Sequence, residues 1–209
     1  MQQKSLPPNS PPAGFIIFLG GVLIVLQKPL LFARELISRS LKVGGCAVDA
    51  TSGNGHDTVF LAELVGRDGS VLAFDIQPQA IAATRERLAA KGLLERVRVV
   101  EDSHAKMADY SQAAFDAVMF NLGYLPHGDH TIVTKPESTV AALCFAAKQL
   151  NIGGIITILV YTGHEGGREE WEKVWEFSAA LPQQLFTVLE YRLINQKNNP
   201  PFLLAITRL

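Results

Sequence analysis

Two glycines one residue apart, set between an apolar run and a helical pattern, constrain this chain more than any other feature. Cys46-Ala47-Val48 has the length and composition of a buried strand. Val59-Phe60-Leu61-Ala62-Glu63-Leu64 carries apolar positions at helical spacing. Between them, Thr51, Ser52, Gly53, Asn54 and Gly55 permit a tight turn with bare backbone amides. A strand, a glycine turn and a helix N-terminus together suit a ligand carrying carboxylate or phosphate charge. The next apolar strand, Ser70 to Asp75, ends in an acid 20 residues beyond Gly55. A ribose-binding carboxylate occupies that place in nucleotide-binding β-α-β units. A site for an adenosine-containing molecule is the resulting expectation.

The remaining chain keeps the alternation. A helix is expected from Pro29 to Leu41, and Gly44-Gly45 leads into the first strand. A helix over about 78–91 follows, with Gly92 as its cap, then a strand over 97–101 and another over 116–121. A helix over about 137–150 closes at Gly153-Gly154, and Ile155 to Tyr161 reads as a strand buried on both faces. A helix carries Trp171, Val174, Trp175 and Phe177. The last two strands, 185–193 and 201–208, are too close for a parallel crossover and should pair antiparallel. The expected fold is α/β: a seven-stranded, mostly parallel sheet with an antiparallel terminal strand and helices on both faces. That tail distinguishes class I methyltransferases from nicotinamide-binding Rossmann domains.

Residues 1–28 stand apart from the domain expected over 29–209. Pro7, Pro8, Pro11 and Pro12 mark a leader, and Phe15 to Leu26 is a run of twelve uncharged residues. Crossing a bilayer takes about 20. The run is therefore expected to be a helix packed on the domain or an extension upstream of it, with membrane insertion or export the lesser alternative. A net charge of −1 provides no overall field for nucleic acid, so an RNA substrate needs a local patch. Lys28, Arg34, Arg39, Lys42, Arg168, Arg192 and Lys197 are its candidates. Cys46 and Cys144 lie in apolar runs and are expected to be buried, reduced thiols, which points to the cytoplasm.

The turn also discriminates among cofactors. Thr58 stands where a dinucleotide fingerprint has its third glycine, and Asp49 precedes the turn. An acid there suits an ammonium, such as the methionine end of S-adenosylmethionine, and repels a pyrophosphate. Asp75 is also placed to cap the following helix. Asp102-Ser103-His104 follows the third strand, where a side chain can meet an adenine edge; an exposed loop histidine is the alternative for His104. Asn121-Leu122-Gly123-Tyr124 resembles the Asn-Pro-Pro-Tyr element of methyltransferases acting on amino nitrogens, with a plain glycine turn as the alternative. His127, Asp129 and His130 invite a metal-dependent hydrolase as the reading from another class. The loops around His164 and over 195–201 lie where substrate would approach.

Four ordered motifs, Asp49 to Thr58, Phe74 to Gln77, Asn121 to His130 and Asn195 to Pro201, resemble those of the YtqB/MnmM-like methyltransferases, long labelled "putative rRNA methylases". The resemblance runs from about Pro29 to Leu209. It implies S-adenosylmethionine-dependent N-methylation of the aminomethyl group on a tRNA wobble uridine, in the anticodon region, with rRNA or a small molecule as alternative acceptors. DNA is not expected as a partner, and the assembly is left open, with a homodimer as one option. Cofactor contacts are expected from Asp49, Thr51, Gly53, Asn54, Gly55, His56, Asp57, Thr58, Asp75, Gln77, Asp102, Ser103, His104 and Asn121. Catalytic roles are expected for Asn121, Tyr124, Asp129 and His130, with no metal. Substrate contacts are expected from Leu122, Gly123, Tyr124, Pro126, His127, His164, Asn195, Gln196 and Asn198.

Overall fold

The computed structural model describes residues 16–19, 22–125, 132–163, 165–197 and 200–209. The described residues begin with β1 (Ile16–Leu19) and β2 (Val22–Val25), paired antiparallel. This replaces the helix expected over the apolar run. Ile16, Ile17, Val22, Ile24 and Val25 are β-branched and favour extended backbone, and Gly20-Gly21 interrupts any helical pattern.

From there the elements alternate as expected. They are α1 (Pro29–Ser40), β3 (Cys46–Asp49), α2 (His56–Val65), β4 (Ser70–Asp75), α3 (Pro78–Ala90) and β5 (Val97–Glu101). Next come α4 (Met107–Tyr110), β6 (Phe115–Leu122), α5 (Pro136–Gln149), β7 (Leu150–Val160) and α6 (Gly167–Ala179). β8 (Phe186–Tyr191) and β9 (Phe202–Arg208) end the chain. The sheet order is β5-β4-β3-β6-β7-β9-β8. Pairings from β5 through β7 are parallel, and β9 runs antiparallel to both β7 and β8. The short β8–β9 connection dictates that reversal.

Strand side chains alternate between two cores. Ala47, Met119, Ile155 and Ala205 pack with Ile37, Leu61 and Leu88 from α1, α2 and α3. Val48, Phe120, Ile158 and Leu204 pack with Met107, Leu143 and Val174 from α4, α5 and α6. With both faces covered, ligand access is left to the edge where the parallel strands end. Winding reverses between β3 and β6, which opens a crevice at their C-terminal ends.

Three local expectations change. Gly153-Gly154 does not close the preceding helix but sits inside β7. There Gly153 takes φ +76°, and the pairing jumps from Phe115–Leu150 to Ala117–Ile155. Cys144 is exposed rather than buried, because α5 turns Ala142, Leu143, Ala146 and Ala147 inward and leaves position 144 outside. Cys46 is half-buried, and burial pushes its thiol up. Gly92 does cap α3 in the left-handed conformation, φ +66°. No described helix is long and apolar enough to cross a membrane.

Candidate active site

The turn after β3 is assembled by backbone bonds before any side chain is needed. Ser52 N donates to the Phe74 carbonyl at 2.7 Å, and Gly55 N to the Ser52 carbonyl at 2.8 Å. Gly53 and Gly55 take φ of +50° and +78°, the left-handed region open to glycine. Thr84 Oγ1 on α3 donates to the Gly53 carbonyl at 3.1 Å, and Arg87 Nε to the Asn54 carbonyl at 2.8 Å. Asp75 at the end of β4 then closes the turn: Oδ2 accepts from Gly53 N at 2.9 Å and Oδ1 from Gln77 N at 3.0 Å. Burial raises its carboxyl, against the bonds from Gln77, Gly53 and Ile76 that lower it. Asp75 does not cap α3, whose N-cap is Gln77 with no side-chain cap bond; its carboxylate shapes the turn ahead of the helix and lines the crevice.

That crevice is a cleft of about 640 Å³, within the range of small-molecule sites. Thr51, Gly53, Asn54, His56 and Asp57 line it from the turn and α2. Asp75 and Gln77 line it after β4, Asp102, Ser103 and His104 after β5, and Asn121 to Tyr124 after β6. Fourteen residues expected on four separate segments therefore converge.

Three expected cofactor contacts do not reach the cleft. Gly55 and Thr58 lie behind the turn, and Asp49 has no exposed surface, so it meets no ligand ammonium directly in this arrangement. Asp49 instead accepts from Thr58 Oγ1 at 2.6 Å and Thr51 N at 3.2 Å, bracing the turn from below. Burial, and then the charge of Asp57, push its carboxyl up from the ordinary 3.8 to about 7. A raised native value means that the folded chain holds a proton the unfolded chain releases. The resulting stabilisation is full below about pH 4 and is lost as pH rises through about 7, a change of a few kcal/mol. We expect Asp49→Asn to remove this dependence. Urea melts from pH 8 to 5 should show wild type gaining stability relative to the variant, and parallel curves would contradict the assignment.

His104 is buried rather than exposed in a loop. Its Nδ1 lies 3.0 Å from the Ala50 carbonyl, which can only accept, so Nδ1 carries the hydrogen. Nε2 is left buried at the cleft as a lone-pair acceptor with no partner among the described residues. Burial lowers its pKa and keeps the ring neutral. Asp102 is drawn the other way: bonds from Lys106, Tyr110 and Ser103 hold its carboxyl below the usual value.

Behind Asn121 and Tyr124 stands a clamp the sequence did not disclose. Gly123 N donates to Thr134 Oγ1 at 2.9 Å, and Thr134 N to the Gly123 carbonyl at 3.0 Å. Tyr124 and Val133 form an antiparallel bridge. Thr134 Oγ1 donates in turn to the buried Glu170 of α6 at 2.6 Å, and Thr139 Oγ1 to its other oxygen at 2.7 Å. Arg34, Tyr161 and Lys135 also line the cleft without having been expected there. Each comes from an element whose neighbours only the sheet order reveals.

Other expectations fall outside the cleft or outside the description. Asn195 and Gln196 sit in an exposed turn between β8 and β9, away from the cleft lining. Pro126, His127, Asp129, His130, His164 and Asn198 lie outside the described residues. Among the described residues no cluster of three or more His, Cys, Asp or Glu can hold a metal. The expected basic patch is largely tied up. Arg34 pairs with Asp57, Arg39 with Glu35, Arg168 with Glu172 and Arg192 with Glu190, leaving Lys28, Lys42 and Lys197 exposed.

The arrangement has the parts an S-adenosylmethionine site needs. These are a tight glycine turn, an acid at the second strand end, polar groups after the third, and a buried acceptor at His104 Nε2. Comparison with known proteins agrees. The family described as "Putative rRNA methylase" matches residues 71–207. The chloroplastic tRNA (mnm(5)s(2)U34)-methyltransferase of Arabidopsis thaliana is 34% identical over 96% of this chain and 77% of its own length. A solved "putative rRNA-methylase" from Clostridium thermocellum is 46% identical, with a TM-score of 0.87 over 89% of this chain and 100% of its own. A "putative methyltransferase" from Streptococcus mutans, solved with SAH, is 38% identical, with a TM-score of 0.81 over 88% of this chain and 99% of its own. The chain therefore belongs to the putative rRNA methylase family and is an S-adenosylmethionine-dependent methyltransferase.

Proposed function

We propose that the enzyme N-methylates the aminomethyl group of a tRNA wobble uridine, in the anticodon region, within the cytoplasm. The observation that carries this reading is Asn121. It is next to last in β6, at the cleft, with its Oδ1 buried and without a hydrogen-bond partner among the described residues, beside the Leu122 and Tyr124 positions. An acceptor oxygen there suits an N–H donor. The activity of the Arabidopsis relative supports the choice of nucleoside. The transferring unit in this reading is residues 29–209, and a homodimer is not required by the chemistry.

Bound S-adenosylmethionine supplies a methyl group on a sulfonium, open to in-line attack by nitrogen. What the protein must provide is a neutral amine held in line. A free aliphatic amine, with a pKa of about 10.4 in water, is mostly protonated at neutral pH. Asn121 Oδ1 and the Leu122 carbonyl take up the amine N–H groups and leave the lone pair directed at the methyl. Tyr124, 42% exposed at the mouth of the cleft, offers its ring to the uracil face. In this reading the proton shed on transfer passes to Asp129 or His130, which follow Tyr124 in the chain. Asp75, Asp102 and His104 hold the adenosine side, so binding and transfer rest on different residues.

Asn121→Ala is accordingly expected to lower kcat by roughly 10²-fold while the S-adenosylmethionine Kd stays within about threefold. Transfer of labelled methyl to tRNA carrying aminomethyl uridine, read by nucleoside mass spectrometry, tests the function. Labelling of rRNA or a small molecule, with none in tRNA, would refute it.

A further inference from the structure

Asn121 is gripped from two sides, and one grip sets which end of its amide faces the cleft. Its backbone N–H donates to Thr51 Oγ1 at 2.7 Å. Its Nδ2 donates to Asp57 Oδ2 at the N-terminus of α2. The other oxygen of Asp57 accepts from Arg34 of α1, with Nε at 2.7 Å and a terminal guanidinium nitrogen at 2.6 Å. The guanidinium lies 5.3 Å from the centroid of the Phe60 ring, which limits its freedom to leave.

A carboxamide is nearly symmetric in shape, so packing alone does not choose between its two orientations. Chemistry does. A carboxylate paired with a guanidinium has only lone pairs to offer. Turning the amide over would set Asn121 Oδ1 against Asp57 Oδ2, two acceptors face to face with no proton between them. The NH₂ group is thereby committed to Asp57, and Oδ1 is committed to the opposite, cleft-facing side.

We propose that Asp57, held by Arg34, is the positioning residue that fixes the Asn121 amide with Oδ1 toward the methyl acceptor, and so makes the site selective for a nitrogen bearing N–H. This rests on the reading of Asn121 given above. It gives Asp57, expected among the cofactor contacts, a role in orienting Asn121, to which one of its oxygens is bonded. It also removes Arg34 from the RNA-facing cations.

The test is a pair of substitutions read in two backgrounds. Asp57→Asn presents an amide that can donate or accept, so the Asn121 orientation is no longer dictated. In otherwise wild-type enzyme we expect kcat to fall at least about tenfold, with the S-adenosylmethionine Kd within about threefold. In the Asn121→Ala background Asp57→Asn should lower kcat no further. An equal loss in both backgrounds overturns the proposal, since Asp57 would then act by another route. A second arm needs no acceptor. In ¹⁵N-asparagine-labelled protein, the Asn121 side-chain NH₂ signals, assigned by their loss in Asn121→Ala, should move in Asp57→Asn; unmoved signals overturn the proposal. If Asp57→Asn does not fold, Arg34→Gln replaces it in both arms under the same criteria, with a loss of about threefold. Absence of transfer by wild type to aminomethyl uridine refutes the functional reading by itself, and the NMR arm still decides the role of Asp57.

Discussion

Asp75→Ala is expected to abolish measurable S-adenosylmethionine binding, raising Kd by at least about 10²-fold. The carboxylate holds Gly53 N and Gln77 N simultaneously, at 2.9 and 3.0 Å, and so joins the turn after β3 to the entry of α3. Charge-assisted bonds of this kind contribute roughly 1.5–3 kcal/mol each. Losing the bond proposed to the ligand together with the brace on Gly53 reaches about 3 kcal/mol, or two orders of magnitude in affinity. Asp75→Asn preserves the shape but can place an NH₂ against the Gly53 amide, so it should also weaken binding strongly. Calorimetric titration decides the matter, and a Kd within threefold of wild type would rule out the assigned role. Because burial raises the Asp75 carboxyl, wild-type affinity should also fall as the solution is acidified toward that raised value.

Gly55→Ala should combine left-handed strain with a backbone clash and damage the fold strongly. Gly55 has φ +78°, and an added Cβ would stand 2.8 Å from Thr84 Cα and 3.0 Å from Thr84 Oγ1. The nearer contact is backbone, so α2 and α3 must separate for the methyl to fit. Left-handed strain adds about 1–2 kcal/mol and overpacking about 1–3. A total of roughly 2–5 kcal/mol corresponds to a fall in Tm of about 5–15 °C for a chain of this size. The Thr84–Gly53 bond that shapes the turn would be lost as well, and cofactor binding with it. Gly92→Ala is the control: φ is +66° but nothing lies within 4 Å of an added Cβ, so only the strain remains. Thermal melts of the two variants should differ by several degrees, and equal melts would show that the Thr84 contact relaxes freely.

Some of the site was legible in the chain because its causes are local. A Gly-Asn-Gly turn after an apolar strand, and an acid at the end of the next strand, recur wherever a nucleotide-like ligand meets a parallel sheet. Asp75, Gln77, Asp102, Ser103 and Asn121 all lie at or just beyond strand ends, so strand assignment alone carries them to one edge. Asp49 shows the limit of that logic. Its position before the turn was right, but whether a strand-end side chain points into the cleft or under the turn depends on the pleat and on what packs beneath. Thr58 and Thr51 take it beneath. Cys144 fails for a similar reason, since an apolar run does not say which residue of a helix faces outward.

What the sequence determined by itself was the alternation of strands and helices, the antiparallel ending and the glycine turn. Each follows from periodicity or connection length over a few residues. Only the tertiary structure decided that Arg34, Asp57 and Asn121 form one chain of contacts, spanning 87 positions from end to end. Likewise it alone decided that Glu170 holds Thr134 and Thr139 behind Tyr124. These contacts join elements that are neighbours in the sheet but remote in the chain. Pairing across such distances is set by strand order and helix packing, which no local pattern of residues encodes.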